Sequence, residues 1–316
     1  MVIDLHDRDP AASFGLDWLQ RIQGAPCPTG FERFWRERYR RASAVDPRPE
    51  LLPSRVIRGS HEIFDVRYQS TDGRVISGWF VRPKDRPIKR GLVVGHGYGG
   101  RDAPDFRLMM DDTAVLFPCC RGLGRSCSPD IPVDPQDHVI QGIECVDSYV
   151  IGGCVDDLWC GVSALERLCP GIAGRVGYLG ISFGGGLGAL AIPWDRRIAR
   201  AHLNVPTFGH VGLRMECPTF GSSRSLQTHY QQHPETLDVL EFFDASVAAG
   251  FIAVPMHVAV ALSDPFVAPP GQFSIFNSIR SDKRLFLLQR GHQPSAEADD
   301  TDARLFVDVK AFFNAL

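Results

Sequence analysis

The chain has 316 residues, of which 44% are apolar and 22% charged, and its formal net charge is −3. This length and composition are those of a globular protein with one large, well-buried core. A near-neutral charge without a basic stripe argues against a nucleic-acid partner. No apolar run is long enough to cross a membrane, so no membrane partner is expected.

The nine cysteines are scattered, apart from the adjacent pair Cys119-Cys120, and they do not fall at metal-ligand spacing. We expect them to be free thiols in the interior. The first ten residues, MVIDLHDRDP, are charged and lack the apolar segment of a signal peptide. These features predict a cytoplasmic protein that needs neither a metal ion nor another cofactor.

Residues 1–55 are expected to form a helical arm that lies across the main domain. Apolar and aromatic side chains recur at helical spacing in two stretches, 14–19 and 31–39. Pro47, Pro49 and Pro53 then interrupt the pattern. The basic run from Arg36 to Arg41 lies in the second stretch and is interpreted as a solvated helix face.

From residue 61 onward, strand patterns alternate with helix patterns. Residues 61–83 alternate as a hairpin around Asp72-Gly73, and the continuous apolar runs 91–97 and 114–120 indicate strands covered on both faces. A helix is expected within 135–169, before the strand 175–180. Later strands are predicted at 198–206, 251–265 and 284–293, and helices at 273–279 and 301–316.

This alternation predicts one domain over 1–316 with a mostly parallel sheet, right-handed crossovers and helices on both faces. The segment 207–250 reads as an irregular and then helical insertion that shapes a pocket. No internal repeat or low-complexity tract interrupts the order.

The segment Gly180-Ile181-Ser182-Phe183-Gly184 fits the pattern Gly-x-Ser-x-Gly. An apolar strand precedes it and a helix of small residues follows, which is the context in which such a serine is a nucleophile. The helix N-terminus offers free N–H groups and a partial positive charge to a developing oxyanion. A glycine-rich turn without chemistry is the alternative.

A base and an acid must follow the serine along the chain, in the order Ser, Asp or Glu, His. Only His292 lies in a loop directly after an apolar strand near the C-terminus, so it is the predicted base. His202 and His257 lie within strands and are interpreted as core residues. The histidines of the insertion are expected at the surface: His210, His229 and His233.

Asp264 closes the strand 251–265, and catalytic groups of open α/β sheets gather at the carboxyl ends of strands. It is therefore the predicted acid, with a turn-initiating aspartate before Pro265 as the alternative. Asp282 precedes the next strand and so belongs to the opposite edge of the sheet. His96-Gly97-Tyr98 ends an earlier strand, and the N–H groups of Tyr98 and Phe183 are the predicted oxyanion donors, unless this segment is a plain glycine turn.

Taken together, these residues resemble the motifs of a known enzyme family. The chain resembles the acetyl xylan esterase / cephalosporin C deacetylase family of α/β-hydrolases, carbohydrate esterase family 7, from about Phe31 to the C-terminus. The resemblance lies in an ordered set of motifs: Phe34-Trp35, His96-Gly97-Tyr98-x-Gly100, Arg121-Gly122-x-Gly124, His138 to Gly142, Tyr149, Asp156, Gly180-x-Ser182-x-Gly184, Phe242-Phe243-Asp244, Asp264 with Pro269-Pro270, and Gly291-His292.

The resemblance implies a serine esterase that removes acetyl groups from small decorated sugars and related esters. It implies Ser182 as nucleophile, His292 as base and Asp264 as acid, with oxyanion amides at Tyr98 and the residue after the serine. It also implies a ring-like homo-oligomer, with a hexamer as the expected size. The small acyl ester is the only partner expected besides further copies of the chain.

Two residues depart from the family pattern. Phe183 replaces a glutamine after the nucleophile, and Leu123 replaces the glutamine of an Arg-Gly-Gln-Gly motif. The Phe183 side chain is expected to make the pocket wall more apolar, and Leu123 is another loss of a polar amide. Both changes weaken the case for a sugar acetate, and the apolar shift favours a different acyl ester. A peptidase or lactone hydrolase on the same fold and a non-catalytic binding protein are the remaining alternatives. A metal enzyme is disfavoured, because His96, His138 and the cysteines form no recognisable ligand set.

Overall fold

The computed structural model describes residue 5, residues 8–293 and residues 298–316. A nine-stranded sheet runs through it in the order β1-β2-β3-β5-β4-β6-β7-β8-β9. The strands are β1 (Glu50–Pro53), β2 (His61–Gln69), β3 (Val75–Pro83), β4 (Arg90–Gly95), β5 (Thr113–Pro118), β6 (Val176–Ile181), β7 (Ile198–Asn204), β8 (Met256–Ala261) and β9 (Lys283–Leu288).

The first three strands and the last six differ in how they pair. β1, β2 and β3 pair antiparallel, and β3 joins β5 antiparallel. The five remaining pairings, from β5 through β4, β6, β7 and β8 to β9, are parallel. Every residue of β4 and β5 is buried, as the continuous apolar runs predict for strands covered on both faces, and every residue of β8 is buried as well.

Helices cover both faces of this sheet, which confirms the predicted fold class. One core cluster packs against α2, α4, α5 and α10, and a second packs against the C-terminal helix α11. The helices are α1 (Leu16–Leu19), α2 (Phe31–Ser43), α3 (Pro135–His138), α4 (Val150–Leu168), α5 (Phe183–Ala191), α6 (Val211–Glu216), α7 (Gly221–Gln232), α8 (Thr236–Leu240), α9 (Ala245–Ala249), α10 (Pro269–Ser278) and α11 (Ala298–Phe313). Of the helices in the described ranges, none combines the length and apolarity needed to cross a bilayer.

The N-terminal segment packs on the domain through α2. Trp35 is fully buried, and its indole N–H donates a hydrogen bond to the carbonyl of Phe242, 2.8 Å away. The basic run on this helix is not wholly a solvated face. Arg38 is buried and donates two hydrogen bonds of 2.9 Å to the carboxylate of Asp156 on α4, which compensates for the cost of burying both charges.

Two histidines face each other inside the sheet, on β7 and β8. The Nδ1 atoms of His202 and His257 lie 2.8 Å apart, so one proton is shared between them. Both side chains are buried, as the sequence predicts for these two residues. Burial, followed by the charge of His257, lowers the pKa of His202 to about 3.

This pair is expected to make the fold less stable in acid. His202 binds a proton near pH 6.5 when unfolded but only near pH 3 when folded, so stability rises with pH between these values. At pH 5 the free energy of unfolding should be lower than at pH 7.5 by roughly 2 kcal/mol from this group alone. Urea denaturation at the two pH values measures the difference. Equal free energies of unfolding at both pH values would contradict the prediction.

Candidate active site

Ser182 forms the turn between β6 and α5. Its φ of 53° places a non-glycine residue in the left-handed region, which is strained and typical of functional turns. Its backbone N–H donates to the carbonyl of Asn204 on the neighbouring strand, 2.8 Å away. Gly184 allows the tight approach of the next loop, since a Cβ there would lie 2.7 Å from the carbonyl carbon of Gly95.

Asp264 and His292 lie in the loops that follow β8 and β9, and the structure brings them together. The Nδ1 of His292 lies 2.7 Å from Oδ2 of Asp264. The aspartate side chain is 0% exposed, whereas that of His292 is 25% exposed. Gly291 packs against the carboxylate so closely that a Cβ would collide with Oδ2. The carboxylate therefore holds one edge of the imidazole and leaves the other edge facing the cavity.

Gln272 on α10 holds the carboxylate of Asp264 in place. Its side-chain amide donates to Oδ2 of Asp264 at 3.1 Å and to the carbonyl of Val267 at 2.6 Å, and its own oxygen accepts from the N–H of Ala261. Oδ1 of Asp264 accepts the N–H groups of Phe266 and Val267, each at 3.0 Å. The acid is thus fully hydrogen-bonded within a buried loop. Sequence reasoning missed Gln272, whose only signal is its place in the helix that starts at Pro269-Pro270.

Ser182 and His292 line the same cavity, which has a volume of about 490 Å³. Within the described residues, the serine hydroxyl and the imidazole share no hydrogen bond. Such contacts are often long in unliganded enzymes and shorten when substrate binds. The volume suits a small molecule rather than a polymer segment. The arrangement can therefore present a hydroxyl, a base and an acid to a small bound molecule.

Two backbone amides without a partner belong to residues that line the same cavity. The N–H groups of Tyr98 and Phe183 donate no hydrogen bond to any other described residue, although both residues line the cavity. Phe183 is the first residue of α5, where an N–H has no partner within the helix. Free donors beside a serine hydroxyl are what a developing oxyanion requires.

The side chain of Phe183 does not have the predicted position. It is 0% exposed and stacks on the ring of Tyr98, with the ring centroids 4.1 Å apart. Leu123 is likewise buried in the core. The two departures from the family pattern therefore change the packing behind the cavity rather than its wall. The expectation of a more apolar wall from Phe183 is wrong, because its ring is fully buried and exposes no surface to the cavity.

His138 ties this aromatic pair to the loop after β5. The hydroxyl of Tyr98 lies 3.1 Å from Nδ1 of His138, whose Nε2 lies 3.0 Å from the carbonyl of Arg121. A carbonyl can only accept, so Nε2 carries the proton and Nδ1 accepts from Tyr98. Burial holds the pKa of Tyr98 well above its ordinary value, so the hydroxyl keeps its proton. Asp157 fixes Arg121 in turn through hydrogen bonds of 2.8 to 3.1 Å.

The three histidines of the segment 207–250 lie outside this arrangement. His210 caps α6 by accepting the N–H of Leu213 at 3.3 Å. His229 and His233 pack against each other on α7, with ring centroids 4.7 Å apart. None of these three lines the cavity that holds Ser182.

Comparison with known proteins shows the family to which this chain belongs. The family described as acetyl xylan esterase (AXE1) matches residues 11–308. No curated protein sequence matches significantly. Acetyl xylan esterase 1 from Thermoanaerobacterium sp. JW/SL YS485 is similar in structure, with 21% identity, a TM-score of 0.80, and coverage of 94% of this chain and 99% of that one. The acetyl xylan esterase from Paenibacillus sp. R4 has 24% identity, a TM-score of 0.81 and coverage of 93% and 99%.

A third similar structure belongs to a larger protein. The acylaminoacyl peptidase from Pyrococcus horikoshii has 14% identity and a TM-score of 0.64, and the alignment covers 81% of this chain but 41% of that one. At these identities the three structures share the fold with this chain. The family match extends over nearly the whole sequence.

Proposed function

Because this chain belongs to the acetyl xylan esterase family and is a carboxylic-ester hydrolase, we propose that Ser182, His292 and Asp264 carry out the hydrolysis as a catalytic triad. The observation that carries this proposal is the 2.7 Å contact between His292 and Asp264 at the cavity that also contains Ser182. Each residue follows a different parallel strand, and their order along the chain is the one that this fold requires.

In the first step, Ser182 attacks the ester carbonyl while His292 takes its proton at Nε2. Asp264 accepts a hydrogen bond from the Nδ1–H of the imidazole and keeps its negative charge, which fixes the tautomer and stabilises the cation that forms. The amides of Tyr98 and Phe183 hold the oxyanion of the tetrahedral intermediate. One such donor is worth about 3 kcal/mol of activation free energy. His292 then protonates the leaving alcohol, and an acyl-serine remains.

In the second step, a water molecule replaces the alcohol. His292 removes a proton from this water as it attacks the acyl-serine, and the same two amides hold the second oxyanion. Return of the proton to Ser182 releases the carboxylic acid. No cofactor takes part in either step.

The proposed substrates are acetyl or other short acyl esters of small molecules, such as acetylated sugars. The cavity volume of about 490 Å³ supports a small substrate. Hydrolysis rates for 4-nitrophenyl esters from acetate to octanoate, together with an acetylated xyloside and a peptide 4-nitroanilide, test this. We expect the highest kcat/KM for acetate and propionate and no cleavage of the anilide. Preferred cleavage of the anilide would support the peptidase alternative instead.

Gln272 gives a prediction about the acid. Gln272→Leu removes one of the two side-chain donors on Oδ2 of Asp264, so the carboxylate and the imidazole that it holds become less well fixed. We expect kcat for 4-nitrophenyl acetate to fall roughly tenfold with little change in KM. Gln227, another buried glutamine, hydrogen-bonds the carbonyls of Arg214 and Cys217 and serves as the matched control. A similar loss of kcat in Gln227→Leu would show that the effect is one of general stability.

We also propose that the protein forms a homo-oligomer and that it is located in the cytoplasm. The family resemblance supports a homo-oligomer, and sedimentation velocity at micromolar concentration would give its size. All nine cysteines are free thiols, but Cys27, Cys127 and Cys145 are exposed and do not lie in the interior as predicted. Free thiols are typical of a reducing compartment, which supports the cytoplasmic location that we propose.

A further inference from the structure

The mouth of the catalytic cavity carries an apolar rim made of Ile181, Phe220 and Phe266. These side chains are 39%, 52% and 42% exposed, and all three line the cavity. Among the described residues, Phe220 and Phe266 are the only large aromatic side chains with such exposure. The other exposed large hydrophobic residues do not line the cavity: Leu52, Ile57, Val75, Val133 and Val307. Exposed apolar side chains that cluster in this way mark a binding surface.

The two aromatic rings of the rim are held in place by the backbone beneath them. The N–H of Phe220 donates to the carbonyl of Pro265 at 2.8 Å. The hydroxyl of Thr219 donates to the carbonyls of Pro265 and Phe266, at 3.2 and 3.0 Å. The segment before α7 is therefore bound to the loop that carries the acid. The rings lie 6.1 Å apart between centroids, tilted by 66°, and form a preformed corner.

This corner lies on the side of the cavity where an alcohol would leave. The ring of Phe266 is 6.0 Å from the ring of His292 between centroids. The imidazole donates its proton to the leaving alcohol in the proposed mechanism, so the alcohol must lie against this side. Among the described residues, no Asp, Glu, Lys or Arg lines the cavity, so none of these side chains compensates a charge on the substrate.

We propose that Phe220 and Phe266 form the subsite for the leaving alcohol and select an uncharged alcohol that has an apolar ring face. This inference rests on the proposed function and specifies the substrate class of the same site. An aryl alcohol and the C–H face of a sugar ring share the required chemistry. Either can pack on the exposed faces of the two phenylalanines, whereas a small alcohol without a ring cannot cover them.

Three acetates test the inference, because the acyl group is the same in each. They are 2-naphthyl acetate, a methyl tri-O-acetyl-xyloside and hexafluoroisopropyl acetate, the last of which has an acidic alcohol without a ring. In Phe220→Ala and Phe266→Ala we expect kcat/KM to fall roughly tenfold for one or both ring-bearing esters and less than twofold for the ringless ester. The ring-bearing ester with the larger loss of kcat/KM shows whether the subsite prefers an aryl alcohol or a sugar. Val307→Ala, another exposed apolar residue outside the cavity, is the control.

The outcomes separate this inference from the proposed function. Equal losses of kcat/KM for all three acetates would overturn the inference. This holds even if sedimentation shows that the variants also change the oligomeric state. Restoration of the ring-bearing rates by Phe220→Trp would support it. If the wild-type protein hydrolyses none of the three esters and Ser182 does not react with a fluorophosphonate, the proposed function itself is rejected.

Discussion

Ser182→Ala is expected to lower kcat for 4-nitrophenyl acetate by at least roughly 10⁴-fold, because the acyl-enzyme cannot form without the hydroxyl. The residual rate would come from the two amides and from His292 acting on water. Alanine can occupy the same turn with the same strain, so the free energy of unfolding should change by less than about 1 kcal/mol. Initial-rate hydrolysis assays measure kcat, and urea denaturation measures the free energy of unfolding.

Two neighbouring serines provide the matched controls for this variant. Ser222 and Ser223 also line the cavity, but neither follows a strand end at the sheet. Ser222→Ala and Ser223→Ala should keep kcat within a few-fold of the wild type. If activity survives in Ser182→Ala but disappears in either control, Ser182 is not the nucleophile.

Asp264→Asn has the second-largest expected effect. The asparagine oxygen can still accept the N–H groups of Phe266 and Val267, so the loop keeps its shape. Its NH₂ group then faces the amide of Gln272 and Nδ1 of His292. The imidazole must therefore accept at Nδ1 and carry its proton at Nε2, where it can no longer act as a base. We expect kcat to fall by about 10³- to 10⁴-fold with KM nearly unchanged.

Asp282 is the matched control for the acid. It is exposed and precedes β9, so it lies at the opposite edge of the sheet from His292. Asp282→Asn should leave both kcat and KM near their wild-type values. If Asp264→Asn keeps more than a tenth of the wild-type kcat, Asp264 is not the residue that orients the base.

The strand pattern made much of this arrangement predictable. Continuous apolar runs predict that β4 and β5 lie in the middle of a sheet, and parallel strands end at a common edge. Polar residues directly after such strands must therefore lie near one another. This reasoning alone indicates the neighbourhood of Ser182, Asp264 and His292. Their catalytic roles stay predictions until activity is measured.

Other parts of the site depend on contacts that have no local pattern. Phe183 lines the cavity although its ring is fully buried against Tyr98, and no local sequence pattern predicts that packing. Gln272 reaches Asp264 because α10 folds back on the acid loop, and one sequence contains no signal for that path. Phe220 lies in an insertion without strand or helix periodicity before α7. Tertiary packing, rather than local preference, sets each of these positions.

The most direct test of the account is the reaction of the protein with a fluorophosphonate, followed by peptide mass spectrometry. An activated serine is phosphonylated by such a probe, whereas an ordinary serine hydroxyl is not. We expect one adduct per chain, on Ser182, formed at a rate that falls by orders of magnitude in Asp264→Asn, with loss of esterase activity in proportion to labelling. An adduct on another residue, or full esterase activity in protein that carries the adduct on Ser182, would contradict the account.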